Sequence, residues 1–132
     1  MSRKIVSVVI LMLVAQFGFA NTTHVYPNPS KDSAQSQFRP GYCEIELTNY
    51  SWHDIHVVGT FTDGANIDFM MFHGGPLHRI SLFYYGICHS GMYLTLYDEV
   101  GAIYSRYTRV DTRVVVNNYF KGQSNIKLVP NK

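Results

Sequence analysis

From Tyr42 to Val129 the sequence breaks into short runs of β-branched and aromatic residues, apolar at alternate positions and separated by Gly, Asp and Asn. A period of two is the signature of strands, and no stretch past residue 20 carries the 3.6-residue period of an amphipathic helix. The pattern predicts strands over 42–49, 54–62, 66–72, 78–85, 89–98, 102–108, 113–119 and 125–129. The breaks have turn chemistry: Asp63-Gly64 is a hairpin dipeptide, Gly74-Gly75-Pro76 ends any element, Gly101 closes a tight loop after Asp98, and Asp111 marks another reversal. Such spacing implies an all-β fold, an immunoglobulin-like antiparallel sandwich of two sheets and about 7–8 strands in place of a closed barrel.

Residues two apart share a face of a strand. Cys43, Ile45 and Leu47 therefore point one way, with Glu44, Glu46 and Thr48 opposite. Ile55, Val57, Gly59 and Phe61 form a second inward set, and Met92, Leu94 and Leu96 a third whose parity includes Cys88. Both cysteines are thus expected on apolar faces.

The first twenty residues have the layout of a cleaved signal peptide: cations Arg3 and Lys4, an apolar core, and small residues Gly18 and Ala20 before the expected cut at Ala20/Asn21. The apolar run is short for a membrane span, and no cysteine at the cut offers a lipid anchor. Removing Arg3 and Lys4 from 11 Lys and Arg balances the 9 Asp and Glu, so the mature chain is neutral. A neutral domain lacks the footprint of a nucleic-acid binder. The expected organisation is a signal peptide over 1–20, a polar, Pro-containing exposed arm over 21–40, and a sandwich domain over 41–132. Whether the arm is a spacer or an added edge strand is open at this level.

The stretch YYGICHSGMY at 84–93 concentrates Cys88, His89, Ser90 and Met92. In an exported chain with 2 cysteines, Cys43 and Cys88 are expected to pair. Closing so long a loop contributes up to about 4 kcal/mol. A Cys-His hydrolase is not expected, because His89, adjacent on an extended strand, points away from Cys88. Ser90 lacks the Gly-x-Ser-x-Gly setting. The competing expectation is a periplasmic copper or zinc carrier using His89, Met92, His53 and His56, with Cys88 as a further soft donor. The cupredoxin order, with Cys, His and Met in one loop before the last strand, is not met. DGANID at 63–68 is better explained as a hairpin turn than as a calcium loop. Arg106, Arg109 and Arg113 around the Asp111 turn read as a solvated hairpin end.

The chain carries 10 tyrosines. Alternation turns one tyrosine of each close pair outward, and exposed Tyr and Trp are enriched at binding surfaces. Tyr85, Tyr93, Tyr97, Tyr104 and Trp52 are the candidate surface.

The segments NYSWHDIHVVGTFTDG, HRISLFYYGICHSGMYLTLYD and IYSRYTR, within residues 42 to 108, resemble small exported β-sandwich proteins of Gram-negative bacteria. In that group an Asn-x-Ser strand leads to a Gly-Thr-Phe-x-Asp-Gly hairpin and a Tyr-rich Gly-x-Cys-His-x-x-Met strand. The resemblance implies an exported sandwich with Cys88, His89 and Met92 in its scaffold, and it carries no assigned activity. The expectation is an exported, periplasmic or extracellular, non-enzymatic protein without cofactor. It would recognise a protein or glycan partner, with no nucleic acid and no stable membrane insertion, as a monomer or edge-paired dimer, and could serve as a secreted, host-interaction factor.

Overall fold

The computed structural model describes residues 21–27, 41–118 and 124–131. The expected signal peptide and residues 28–40 of the expected arm lie outside the described residues. No helix occurs among the described residues, and none is long and apolar enough to cross a membrane.

The strands are β1 (Thr22–His24), β2 (Glu44–Asn49), β3 (Ile55–Thr60), β4 (Asn66–Met71), β5 (His78–Ser81), β6 (Phe83–Tyr84), β7 (Ile87–Cys88), β8 (Gly91–Tyr97), β9 (Ala102–Arg109), β10 (Thr112–Asn118) and β11 (Ser124–Pro130). A five-stranded sheet runs β1-β5-β2-β10-β11, a four-stranded sheet β4-β3-β8-β9, and β6 and β7 form a separate hairpin. The four-stranded sheet is antiparallel throughout. In the five-stranded sheet, β1 with β5 and β10 with β2 pair in parallel. Parallel neighbours need a long crossover. Here the chain between β2 and β10 builds the other sheet before it returns.

The two sheets share one core. Ile45, Leu47, Ile80, Val114 and Val116 from the five-stranded sheet join Ile55, Val57, Leu94 and Leu96 from the four-stranded sheet, all at 0% exposure. Burying each such side chain is worth about 1.5–3 kcal/mol. The expected inward sets on β2, β3 and β8 are all buried, Gly59 included. A Cβ at Gly59 would lie 2.5 Å from the Met92 terminal methyl, so glycine here makes room for that side chain.

Two expectations are corrected. The expected strand over 78–85 ends at Ser81, and Tyr85-Gly86 forms a two-residue turn with φ of 52° and 74° between β6 and β7. Positive φ at both central residues is the twist-matched hairpin turn. Cys88 therefore sits on this hairpin and not on the apolar face of β8, and its residue is exposed. The arm, open between spacer and edge strand, is an edge strand over its first part, with β1 docked beside β5, and its expected exposure is corrected at Tyr26, which is buried at 5% exposure. His24 anchors β1, stacked on Phe69 of β4 with ring centroids 3.6 Å apart and Nε2 2.9 Å from Nδ1 of His78. This stack ties an edge of one sheet to an edge of the other.

Candidate recognition face

The outer face of the four-stranded sheet follows from alternation. With Met92, Leu94 and Leu96 directed inward, Tyr93, Thr95 and Tyr97 of β8 are directed outward. Register then assembles rows across the sheet. Asn66, Thr60, Tyr93 and Tyr107 form one row; Asp68, Val58, Thr95 and Ser105 the next; Met70, His56 and Tyr97 the third. Tyr93, Tyr97 and Tyr107 are 51%, 38% and 44% exposed.

Local contacts tie this face together. Thr95 Oγ1 and Ser105 Oγ are 3.0 Å apart, Thr60 Oγ1 donates to Asn66 Oδ1 at 2.9 Å, and His56 Nε2 pairs with Asp68. The Tyr107 hydroxyl bonds Ser90 Oγ at 2.7 Å, and its ring lies over Gly91, where a Cβ would come within 2.7 Å of the ring. Only a residue without a side chain lets the tyrosine lie so close to the sheet. The Tyr97 ring is 5.9 Å from that of His56. The result is a cross-strand pair of tyrosine rings, a third about 13 Å along β8 by strand rise, and a strip of hydroxyls between them.

The other surface candidates lie elsewhere. Trp52 is 76% exposed on the loop between β2 and β3. Buried Asn49 builds that loop: its Nδ2 donates to the carbonyls of His53 and Met71, and its Oδ1 accepts from the Ser51 amide and hydroxyl. The Trp52 amide donates to Asn118 Oδ1 at 3.0 Å, which leaves the indole outside. Tyr85, 52% exposed at the hairpin turn, places its hydroxyl 3.1 Å from that of Tyr26. Tyr26 also donates to Asp63 and stacks on Tyr84. The Asp63 bond holds the Tyr26 phenol well above its ordinary pKa, with the Tyr85 hydroxyl adding to it. Tyr104 is a correction: it faces Leu96 across the pairing and is buried at 8% exposure, its hydroxyl 2.6 Å from Thr108 Oγ1. Tyr107, three residues on, has the outward parity and belongs to the face.

The metal candidates are scattered. Cys88 is bonded to Cys43 with an S–S distance of 2.05 Å, and no free cysteine occurs. His89 stacks on Tyr84 at 3.6 Å with Nδ1 3.2 Å from the Leu82 carbonyl. Met92 is in the core at 0% exposure. His53 faces Glu99 at 3.9 Å, and His56 faces Asp68 on the outer sheet. No grouping of three or more His, Cys, Asp or Glu suited to a metal occurs among the described residues.

Sequence reasoning missed two polar constellations. One is the His24, Phe69 and His78 stack, where burial, then the charge of the neighbouring histidine, brings the His24 pKa down to about 4. The other lies on the outer side of β2. Glu44 and Glu46, expected outward, are buried at 0% and 4% exposure. Arg79 and Arg113 share the cross-strand row of Glu46, and Arg113 Nη2 meets its carboxylate at 2.7 Å. Burial pushes the Glu44 carboxyl up in pKa, opposed by the Gly41 amide and Arg79. Burial acts the same way on Glu46, but the Arg113 and Asn131 hydrogen bonds and the two arginine charges outweigh it and hold that carboxyl low. The residues carrying this signal are the alternating Glu44 and Glu46, with Arg79 and Arg113 on strands whose pairing only the fold reveals.

No protein-family model, no curated protein and no solved structure matches the chain.

Proposed function

We propose that this is an exported, non-enzymatic protein of immunoglobulin-like sandwich type that works by surface recognition of a protein or glycan partner through the outer face of its four-stranded sheet. The observation that carries the proposal is the set of exposed tyrosines, Tyr93 beside Tyr107 with Tyr97 farther along β8. Tyrosines offer large contact area with few rotamers to freeze, and a hydroxyl for polar pairing. The two packed sheets support the immunoglobulin-like assignment, and the disulfide suits an oxidising, exported location. The resemblance to exported Gram-negative proteins points the same way and motivates a role in contact with another organism. No specific observation favours the copper or zinc reading once Cys88 is in a disulfide.

Exported protein, checked by intact mass for loss of residues 1–20, should be screened on glycan and cell-surface protein arrays beside the Y93A/Y97A/Y107A variant. The proposal expects a wild-type hit that the triple variant loses while its disulfide and melting curve are kept. Hits shared equally by both proteins, or none, would count against this face.

A further inference from the structure

Among the described residues, nothing pairs with the edges of β9 and β11 on the side of the sandwich opposite the histidine stack. Between the edge strands β9 and β11 runs a groove of about 640 Å³ lined by residues 106–112 and 128–130. Its apolar wall includes Val110 and Leu128. Arg106 has the inward parity of β9, yet it is exposed. Its guanidinium carbon lies 5.2 Å from the centre of the Tyr104 ring, and its Nε donates to the Tyr104 hydroxyl at 3.3 Å. That hydroxyl is itself 2.6 Å from Thr108 Oγ1, which in turn donates to the Arg106 carbonyl at 3.4 Å. The network fixes the arginine plane through Nε alone. Neither Arg106 nor Arg109 has a carboxylate partner among the described residues, while Asp111, the acidic residue of the lining, is already engaged. A stacked arginine with its terminal donors unpaired is built for a carboxylate.

The backbone adds direction. The Val110 amide donates to the Ser90 carbonyl at 2.8 Å. Antiparallel alternation then turns the amides of Thr108 and Arg106 toward β8, and those of Ser105, Tyr107 and Arg109 toward the free edge. An extended chain laid along that edge meets main-chain donors and acceptors, and its alternate side chains enter the groove.

We propose that this groove binds an extended acidic peptide, added as a strand beside β9 with a Glu or Asp side chain received by Arg106. The competing structural role is that Arg106 guards a bare edge, since inward-pointing charges on edge strands deter unwanted pairing. The groove shares Tyr107 with the tyrosine face, but the proposal draws on neither Tyr93 nor Tyr97.

The test is an NMR titration of the exported, disulfide-intact protein with two end-blocked heptapeptides, one alternating Val and Glu and the other alternating Val and Gln. Binding is expected with amide shifts at Ser105, Tyr107, Arg109 and Leu128, about tenfold weaker for the Gln peptide, a difference of about 1.4 kcal/mol. Affinity for the Glu peptide should fall with salt and drop about tenfold in R106Q, and it should persist in Y93A/Y97A. Equal affinity for both peptides, shifts confined to the β4 edge, or no shifts in the wild type would each overturn the proposal. Self-association of R106L without peptide binding by the wild type would assign Arg106 to edge protection instead.

Discussion

Two central strands, β2 and β8, carry the same alternation, and their outward residues meet opposite fates. Glu44 and Glu46 on β2 are buried at 0% and 4% exposure, whereas Tyr93 and Tyr97 on β8 stand 51% and 38% exposed. Charge on one face and aromatics on the other would suggest the reverse. The difference lies in the flanking strands. Beside Glu46 stand Arg79 and Arg113, with Arg113 Nη2 2.7 Å and Arg79 Nε 3.8 Å from its carboxylate, long side chains of a kind that can cover apolar and charged neighbours alike. Beside Tyr93 stand Thr60 and Tyr107, which are either short or laid flat over Gly91. Exposure of an outward residue is set by its cross-strand neighbours, so one face is a buried ionic layer and the other an exposed aromatic surface.

The largest effect expected from breaking this contrast is at Glu46. E46A leaves Arg113 and Arg79 beside a buried carboxyl site without its charge, and it should cost about 3 kcal/mol, seen as a lower urea midpoint. Acid should act similarly. A carboxyl held below its unfolded pKa stabilises the fold above that value and loses the contribution as pH falls, and a histidine held at about 4 does so between pH 6.5 and 4. Exchange protection of Thr22 to Tyr26, corrected for intrinsic rates, should therefore fall over that window before protection of β8 does. H24F, which keeps the ring stack and removes one of its two histidines, should weaken the dependence and leave the share of His78, whose pKa burial also lowers.

Glu44 has the opposite sign. Its raised pKa makes its contribution complete below the unfolded value and lost as pH rises. E44Q should match the wild type near pH 4 and exceed its urea midpoint at pH 8; a lower midpoint at both would mean the buried acid is held ionised. The smallest effect on stability belongs to the display face. Y93A or Y97A should shift stability by less than about 1 kcal/mol, and a larger loss in denaturant titrations would reclassify those rings as packing.

Much of the architecture was legible. Alternation in IHVVGTF and MYLTL marked core sets that the structure buries, and two cysteines in a chain with a signal-like leader marked the disulfide. The candidate face was legible through Tyr93 and Tyr97. Tyr104 was assigned to the wrong side because a register irregularity between Leu96 and Tyr97 hides the parity of β9 relative to β8. The docking of β1 was not legible: three polar residues, Thr-Thr-His, show no apolar period, and what holds them is a ring stack with Phe69, distant in sequence. Nor was the role of Arg106, whose partner Tyr104 sits beside it on an edge that only the sheet order defines.

The most direct test of the recognition face is site-specific photocrosslinking in cells that export the protein alongside its intended partner surface, with the photoreactive residue placed at 93, 97 or 127. Adducts from positions 93 and 97, with none from Lys127 on the five-stranded sheet, are the predicted result. Adducts from 127 alone, or equally from all three positions, would contradict the account.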